Sequence, residues 1–235
     1  MIDEQRVGYE IRELHSVAEV EEASRVLGAV WGSPDGGMAP NLLRALEHAG
    51  NYVVGVFEGG SMIATSVAFF GAPAARSMHS HVTGVLPGHQ GRGIGRALKA
   101  HQREWAFARD VGTITWTFDP LIARNAHFNL TVLGARVTDY LVDHYGDMAD
   151  DINAGDESDR LHVAWRLAAA VPTPEPGDVV SVAEIPRDIE ALRVSDPAEA
   201  AGWRRRVRDA FRTEHDRGLV VGGFRSGEGY LFVRP

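Results

Sequence analysis

Residues 85–99 constrain the fold of this chain more than any other part of its sequence. An apolar stretch that predicts a strand runs into a glycine-rich turn, and the turn runs into an amphipathic helix. The N–H groups at the start of a helix have no intrahelical acceptor, and the helix dipole adds partial positive charge there. The sequence therefore predicts a phosphate-binding turn between a strand and a helix.

The charges around this turn agree with that prediction. Residues 59–103 contain no Asp or Glu, although the chain has 32 acids in 235 residues and even spreading would put about six there. The first turn of a helix usually favours acids, yet Arg92 and Arg96 stand here. We therefore expect a ligand to supply the negative charge.

The glycine spacing distinguishes between classes of phosphate site. A dinucleotide-binding turn requires G-x-G-x-x-G and a P-loop requires G-x-x-x-x-G-K-[ST], and neither pattern is present. The segment Gln90-Gly91-Arg92-Gly93-Ile94-Gly95 instead resembles the acyl-CoA pyrophosphate loop of the GNAT N-acyltransferase superfamily. That loop reads Gln or Arg, two residues, Gly, one residue, then Gly or Ala.

Composition excludes several other classes of protein. The net charge of −8 argues against a nucleic-acid binder, and no apolar run of 18 residues predicts a membrane span. The chain has no cysteine and no H-E-x-x-H or similar spacing, so no metal site is predicted. The polar, acidic N-terminus does not suit a secretory signal, which makes the cytoplasm the expected location.

The predicted helices and strands extend the resemblance to residues 10–167, where their order matches that of the GNAT core. The resemblance implies an α/β fold with a mixed sheet, in which the central strands 77–86 and 113–119 splay apart. We predict an acyl-CoA-binding catalytic core at residues 1–170 and a C-terminal extension, a helix plus a β-hairpin, at residues 171–235. The extension is expected to dock on the core or on a second subunit of a homodimer.

Four local expectations concern individual elements. Residues 90–109 are predicted to form the helix after the phosphate turn, and residues 123–133 a helix that Gly134 ends. The acid-rich loop at residues 146–159 is expected to be mobile. The arginines at 204–206, 208 and 212 are interpreted as a solvated face opposite an apolar stripe through Trp203.

The resemblance also implies which residues bind acetyl-CoA or another acyl-CoA as co-substrate. The backbone of Thr83 and Val85 would pair with the pantetheine amides, and the N–H groups of residues 91–96 would hold the pyrophosphate. Arg92, Arg96 or Lys99 would add charge. The predicted cofactor-binding set is Thr83, Val85, Gln90, Gly91, Arg92, Gly93, Ile94, Gly95, Arg96 and Asn125.

The expected chemistry is direct attack of an amine on the thioester, which requires positioning, carbonyl polarisation and a base. His81 is the first candidate for the base and His79 the second, because strict alternation puts both on the strand face of Thr83 and Val85. Asp119, at the end of the neighbouring strand, is the third. A solvated or core histidine is the competing interpretation of each His.

Two positions depart from the family pattern. Leu130 stands where many members have a Tyr that serves the departing thiolate, and Ala123 stands where they have an Asn. Tyr140 or Tyr145 is a candidate substitute for the Tyr. Asn125 and Asn129, one helical turn apart, contact pantetheine or the acceptor in one interpretation and form a surface or capping pair in the other.

The sequence thus predicts an enzyme that transfers an acyl group, acetyl or alternatively succinyl, from acyl-CoA to the primary amine of a small molecule such as an amino acid. The alternative is a GNAT-like sensor or scaffold that binds acyl-CoA without turnover, which the missing Tyr favours. The expected partners are therefore acyl-CoA and a small amine, with no nucleic acid and no membrane.

Overall fold

The computed structural model describes residues 8–33, 37–146, 156–169 and 174–235. The chain forms two compact units, Met1–Ile114 and Thr115–Pro235. Each unit combines helices with predominantly antiparallel strands, and the predicted α/β fold class is confirmed.

The first unit contains four strands in the order β1-β2-β3-β4, each antiparallel to its neighbour. Its helices and strands are β1 (Glu10–Glu13), α1 (Val17–Trp31), α2 (Pro40–His48), β2 (Tyr52–Glu58), β3 (Ser61–Phe70), β4 (Ser77–Val85) and α3 (Ile94–Phe107), with β5 (Thr113–Phe118) beginning at its end. Strand β1 has only four residues, which is too short for a pattern in the sequence to predict it.

Helix α1 shows how local sequence and packing combine in this unit. The Ser16 hydroxyl accepts from the Glu19 N–H, and the Glu19 carboxylate accepts from the Ser16 N–H, which completes a capping box. The apolar face of α1 contributes Val20 and Val26 to a core cluster that also contains Val67 of β3. This core fixes one face of the sheet on which the candidate site lies.

The helix after the phosphate turn is shorter than the sequence predicted. It begins at Ile94 instead of residue 90, and Gly93 precedes it with φ +80°. Gly91 also has positive φ, at +74°. Two left-handed glycines within three residues prevent a continuous helix, so residues 87–91 form turns instead.

The second unit holds two groups of hydrogen-bonded strands, with the orders β5-β7-β6 and β8-β10-β9. Its elements after β5 are α4 (Ala123–Ala126), a π-helix (His127–Val132), β6 (Arg136–Leu141), β7 (Arg160–Arg166), β8 (Val179–Ala183), α5 (Ile189–Ser195), α6 (Pro197–Asp216), β9 (Val220–Arg225) and β10 (Gly229–Val233). The predicted C-terminal helix and hairpin are therefore present as α6 and β9–β10.

The segment predicted as one helix at residues 123–133 changes its winding midway. After one turn of α-helix it continues as a π-helix, in which the Leu133 N–H donates to the Phe128 carbonyl. Gly134 follows with φ +74°, as expected for a residue that ends a helix. A π segment has no distinct apolar period, and it often marks a functional site.

The interpretation of the arginines on α6 as a solvated face is wrong for Arg204. Its side chain is 1% exposed, and it donates from Nη1 to Asp119 Oδ1 at 2.8 Å and from Nη2 to Asp119 Oδ2 at 3.1 Å. A second acid, Asp156, accepts from Arg204 Nη2 at 2.6 Å. Trp203, expected on the buried stripe, is only half-buried and stacks against Arg206.

The prediction of a mobile acidic loop is also wrong for the end of that loop. Asp159 is fully buried, and it accepts from Arg208 of α6 at 2.7 and 2.9 Å and from the Tyr140 hydroxyl at 2.6 Å. The acids at positions 147, 150 and 151 lie outside the described residues. The acids at the end of this loop and the arginines of α6 are therefore partners in ion pairs.

The C-terminal extension packs on the earlier part of its own unit. The Tyr230 hydroxyl donates to the Pro120 carbonyl at 2.7 Å, and the Thr131 hydroxyl donates to the Phe224 carbonyl at 2.9 Å. These two contacts lie within the second unit, and the prediction that the extension docks on the core or on a second subunit stays a prediction. The predicted boundary between residues 170 and 171 lies outside the described residues, and the functional division that it marks stays a prediction.

We expect Arg204→Met to lower the free energy of unfolding by about 3–5 kcal/mol, because it leaves the buried Asp119 carboxylate short of a partner. Urea unfolding at neutral pH measures this change. The control is Arg212→Met on the same helix, whose exposed pair with Asp209 is worth at most about 1 kcal/mol. Equal effects of the two substitutions would contradict the structural role given to Arg204.

Candidate functional site

The turn before α3 presents backbone N–H groups at the surface. Gly91 and Gly93 are exposed, and Gly93 caps the helix without a side-chain hydrogen bond to its first turn. The N–H groups of Ile94, Gly95 and Arg96 stand before the first intrahelical donor, which is Ala97 to Gly93 at 3.0 Å. A Cβ added to Gly91, Gly93 or Gly95 would meet no atom within 4 Å, so the space in front of the turn is open.

The two arginines of this turn differ in their surroundings. Arg92 donates to both carboxylate oxygens of Glu58 at 2.5 and 3.1 Å, and Arg92 Nη1 lies 2.9 Å from His89 Nδ1. The pair with Arg92 holds the pKa of Glu58 below its ordinary value. The acid that pairs with Arg92 is therefore Glu58, which directly precedes the stretch without acids at residues 59–103. Arg96, by contrast, is exposed on the first turn of α3.

Strand β4 leads to the turn with one edge facing away from β3. The Leu86 N–H donates to Ile63 of β3 at 3.0 Å, so by alternation the backbone groups of Val85 and Thr83 point to the opposite edge. On that edge the Gln90 side chain donates to the Val85 carbonyl at 3.2 Å. Gln90 therefore ties the turn to the end of the strand.

A β-bulge at His81 interrupts the alternation of β4. Val82 pairs with Val67 and Ser80 pairs with Ala68, which leaves His81 as the extra residue. Because cross-strand partners share a face, the bulge inverts the strand faces on its two sides.

The faces of His79 and His81 therefore differ from the prediction. Thr83 is opposite Ser66, which lies on the same face of β3 as Ala68, so Ser80 shares the face of Thr83. His79 is opposite Phe69 on the other face. The expectation that both histidines share a face with Thr83 and Val85 is wrong, because period-two counting does not apply across a bulge.

The two histidines and Phe69 form a cluster of rings. The ring centroids of Phe69 and His79 are 5.3 Å apart, those of Phe69 and His81 5.9 Å, and those of the two histidines 6.3 Å. His81 keeps a solvent-exposed surface, yet the protein around its ring desolvates it and lowers its pKa. At neutral pH His81 is therefore a neutral imidazole that can accept a proton.

Lys99 points away from the phosphate turn and into the protein. It is the single lysine of the chain, its side chain is buried, and Nζ donates to Ser80 Oγ at 2.8 Å and to Gln102 Oε1 at 3.1 Å. Burial lowers its pKa to about 7. This placement favours a packing role over the contribution of charge to a phosphate that the sequence suggested.

Asp119, the third candidate base, lies in the second unit at the end of β5. Both of its oxygens bind Arg204, Arg193 Nη2 lies 2.5 Å from Oδ2, and the Leu121 N–H donates to Oδ1 at 2.9 Å. Although burial opposes ionisation, these donors lower its pKa to about 2. A carboxylate so firmly ionised and so fully bound is a poor proton acceptor near neutral pH.

The other candidates in the second unit are distinguished by burial. Asn125 is half-buried on α4, whereas Asn129 is buried within the π-helix. Their predicted spacing of one α-helical turn does not apply across that change of winding. Burial, and then the hydrogen bond from its hydroxyl to Asp159, raise the Tyr140 pKa. The Tyr145 hydroxyl lies 2.9 Å from the Thr117 hydroxyl at a more exposed position.

The described residues hold neither a metal-binding cluster nor a membrane-spanning helix. They contain no group of three or more His, Cys, Asp or Glu side chains placed to hold a metal ion. Among the helices of these same ranges, none combines the length and the apolar character that crossing a membrane requires.

Comparison with known proteins identifies a sequence family. The profile of the acetyltransferase (GNAT) family matches residues 9–128, slightly more than half of the chain. The match includes β4, the turn and α3. No curated protein sequence matches the chain.

Solved structures show the same fold at low sequence identity. The ribosomal-protein-S18-alanine N-acetyltransferase of Escherichia coli superposes with a TM-score of 0.55 at 15% identity, covering 71% of this chain and 99% of the other. The yncA protein of Salmonella typhimurium, solved with its cofactor acetyl-CoA, gives 0.55 at 16% identity over 72% and 99%. Ard1 of Thermoplasma volcanium gives 0.53 at 16% identity over 67% and 97%.

Lys99 generates a prediction for the pH dependence of stability. Between pH 7 and 10.5 the unfolded chain keeps a lysine proton that the folded chain has released, so the folded state gains about 1.4 kcal/mol per pH unit from this group. Lys99→Met removes that contribution. The wild type should therefore gain stability relative to the variant as the pH rises from 7 to 9, as measured by urea unfolding. A constant difference between the two would contradict a depressed lysine pKa.

Proposed function

Because the chain belongs to the acetyltransferase (GNAT) family, we propose that it transfers an acyl group from acyl-CoA to the primary amine of a small molecule such as an amino acid. Acetyl is the acyl group of first choice, since acetyl-CoA is the co-substrate of the family, and succinyl is the alternative. The observation that carries the proposal is the open cluster of N–H groups at the start of α3, directly after β4.

The described residues fit the pyrophosphate of acyl-CoA. The N–H groups of residues 94–96 precede the first intrahelical hydrogen bond, the positive end of the α3 dipole coincides with them, and the glycines beside them have open space around them. Arg96 adds a solvent-accessible guanidinium, which can bind phosphate oxygens in pairs. Arg92 joins them when a phosphate competes with Glu58 for its donors.

The edge of β4 that faces away from β3 would hold the extended arm of the co-substrate. Thr83 and Val85 direct backbone N–H and carbonyl groups to that edge, and Val85 lies next to the turn. In this arrangement the Val85 N–H would donate to the thioester carbonyl and stabilise the negative charge that develops on it. The thioester supplies the activated acyl group, and the chain's contribution is to position the reactants.

We assign the general base to His81, with His79 as the second candidate. His81 is the bulged residue of β4, reaches solvent, and is neutral at physiological pH because its pKa is lowered. It can take the proton of the attacking amine directly or through a water molecule. The ion pairs of Asp119 leave it no comparable capacity.

A binding protein without turnover is the second candidate function. Leu130 is buried at the position where many family members carry the Tyr for the departing thiolate. A thiol with a pKa of roughly 8.5 can leave without a strong acid. Tyr145 is the better placed substitute, since the Tyr140 hydroxyl is committed to Asp159.

Thiol release from acetyl-CoA and succinyl-CoA, measured against pooled primary amines, tests the enzyme against the sensor. We expect release that depends on an amine, and Gly95→Glu should abolish it by placing a carboxylate where phosphate binds. The substitution fits the fold, because Gly95 has ordinary helical φ, open space around it, and a first-turn position that favours an acid.

Gly95→Ala is the matched control and should keep most of the affinity for CoA, measured by calorimetry. Tight binding of both thioesters without release for any amine would support the sensor and overturn the enzyme. Unchanged CoA binding by Gly95→Glu would overturn the phosphate turn itself.

The pH profile of transfer tests the assignment of the base. Because a base must be neutral, kcat/KM should fall as the pH drops through the His81 pKa, which lies below the usual 6.5. His81→Gln should slow transfer by about 10²–10⁴-fold and remove this acidic limb, with CoA affinity near that of the wild type. His79→Gln is the parallel variant. Persistence of the limb in His81→Gln and its loss in His79→Gln would transfer the assignment to His79.

A further inference from the structure

The second unit contains a groove of about 450 Å³ between β6, the C-terminal half of α6, and the β9–β10 hairpin. Its apolar lining includes Phe211, Leu219, Val221 and Phe232. Phe211 and Phe232 are buried and meet edge to face with ring centroids 5.2 Å apart. The volume falls in the range of small-molecule sites, which is roughly 300–1,000 Å³.

The polar residues of this groove are unevenly distributed. Arg208, Arg212 and His215 lie at i, i+4 and i+7 on α6, so they form one row along the helix wall. Asp139 on β6 is the single acid among the described lining residues. An apolar floor beside a row of nitrogen donors is complementary to a molecule with an apolar body and a negatively charged head.

The two arginines of the row differ in how many of their N–H donors already bind acids of the protein. Arg208 donates from Nε and Nη2 to Asp159 and Glu157, which holds its guanidinium in place. Arg212 has one exposed pair, from Nη2 to Asp209 at 2.7 Å, and such a pair is easily exchanged. Arg212 therefore has guanidinium donors left to bind a carboxylate.

We propose that this groove binds an organic carboxylate whose apolar body packs on Phe211 and Phe232 and whose carboxylate pairs with Arg212 beside His215. The site is built by the C-terminal extension together with β6, and none of its residues belongs to the proposed acyl-CoA site. It gives the extension a binding role of its own, and it does not depend on whether the chain is an enzyme.

Binding of 4-phenylbutyrate to the full-length protein, without any CoA compound, tests the proposal by calorimetry. The uncharged 4-phenyl-1-butanol has the same apolar body and lacks the carboxylate. We expect saturable binding of the acid with a dissociation constant of about 1 mM or tighter, and at least about threefold weaker binding of the alcohol. Arg212→Gln should weaken the acid about threefold to tenfold and leave the alcohol unchanged.

The location of binding is tested by Val220→Trp, which places a bulky side chain on an exposed lining position. It should abolish binding of the acid. The matched control is Val182→Trp on β8, an equally exposed valine on the opposite edge of the same three strands and outside the groove.

No saturable binding of the acid, or binding that survives Val220→Trp, would overturn the site. Equal affinity for the acid and the alcohol would show that the row of nitrogen donors does not bind the carboxylate, and it would overturn that part of the proposal. Amine-dependent thiol release measured with Val220→Trp remains a separate result, so failure of the groove and failure of the proposed acyl transfer are distinguishable.

Discussion

A buried carboxylate determines how the second unit is built. Asp119 is 5% exposed, and an ionised group in that environment is tolerated only when it is paired and hydrogen-bonded. Arg193 of α5 and Arg204 of α6 meet this requirement together, so both helices of the C-terminal extension are bound to the residue that follows β5. Arg208 and Asp159 form a second buried contact from the same helix. The extension is therefore held by charge as well as by its apolar stripe.

In the first unit, a single extra residue in β4 has a comparable influence. The bulge at His81 turns Ser80 toward Lys99 of α3 and His79 toward Phe69 on the opposite face, while Thr83 and Val85 keep their backbone groups at the edge away from β3. The backbone edge proposed to hold an extended co-substrate and the ring of the proposed base therefore lie on different surfaces of one strand. A regular strand would have placed both histidines on the face of Thr83.

The ion pairs of α6 and the bulge in β4 are not predictable from the sequence for one physical reason: both depend on contacts with distant parts of the chain. Charge runs and acid-rich loops are solvated in most proteins, so the sequence favours a surface position for the arginines of α6 and for the acids at positions 156–159. In the tertiary structure these arginines and acids lie against each other and form ion pairs. Likewise, nothing in the run of residues 77–85 marks which one is unpaired, because a bulge depends on the register with β3.

The sequence by itself determined the local features: the glycine turn with its exposed N–H groups, the helix that follows it, the family and the α/β fold class. These follow from spacing, from glycines that adopt positive φ, and from hydrophobic periods, all of which act over a few residues. The tertiary structure decided the face of His79, the burial of Lys99, and the change of Asp119 from a candidate base to a structural ion pair. Burial and charge pairing depend on residues as far apart as Asp119 and Arg204, and no local pattern encodes such a contact.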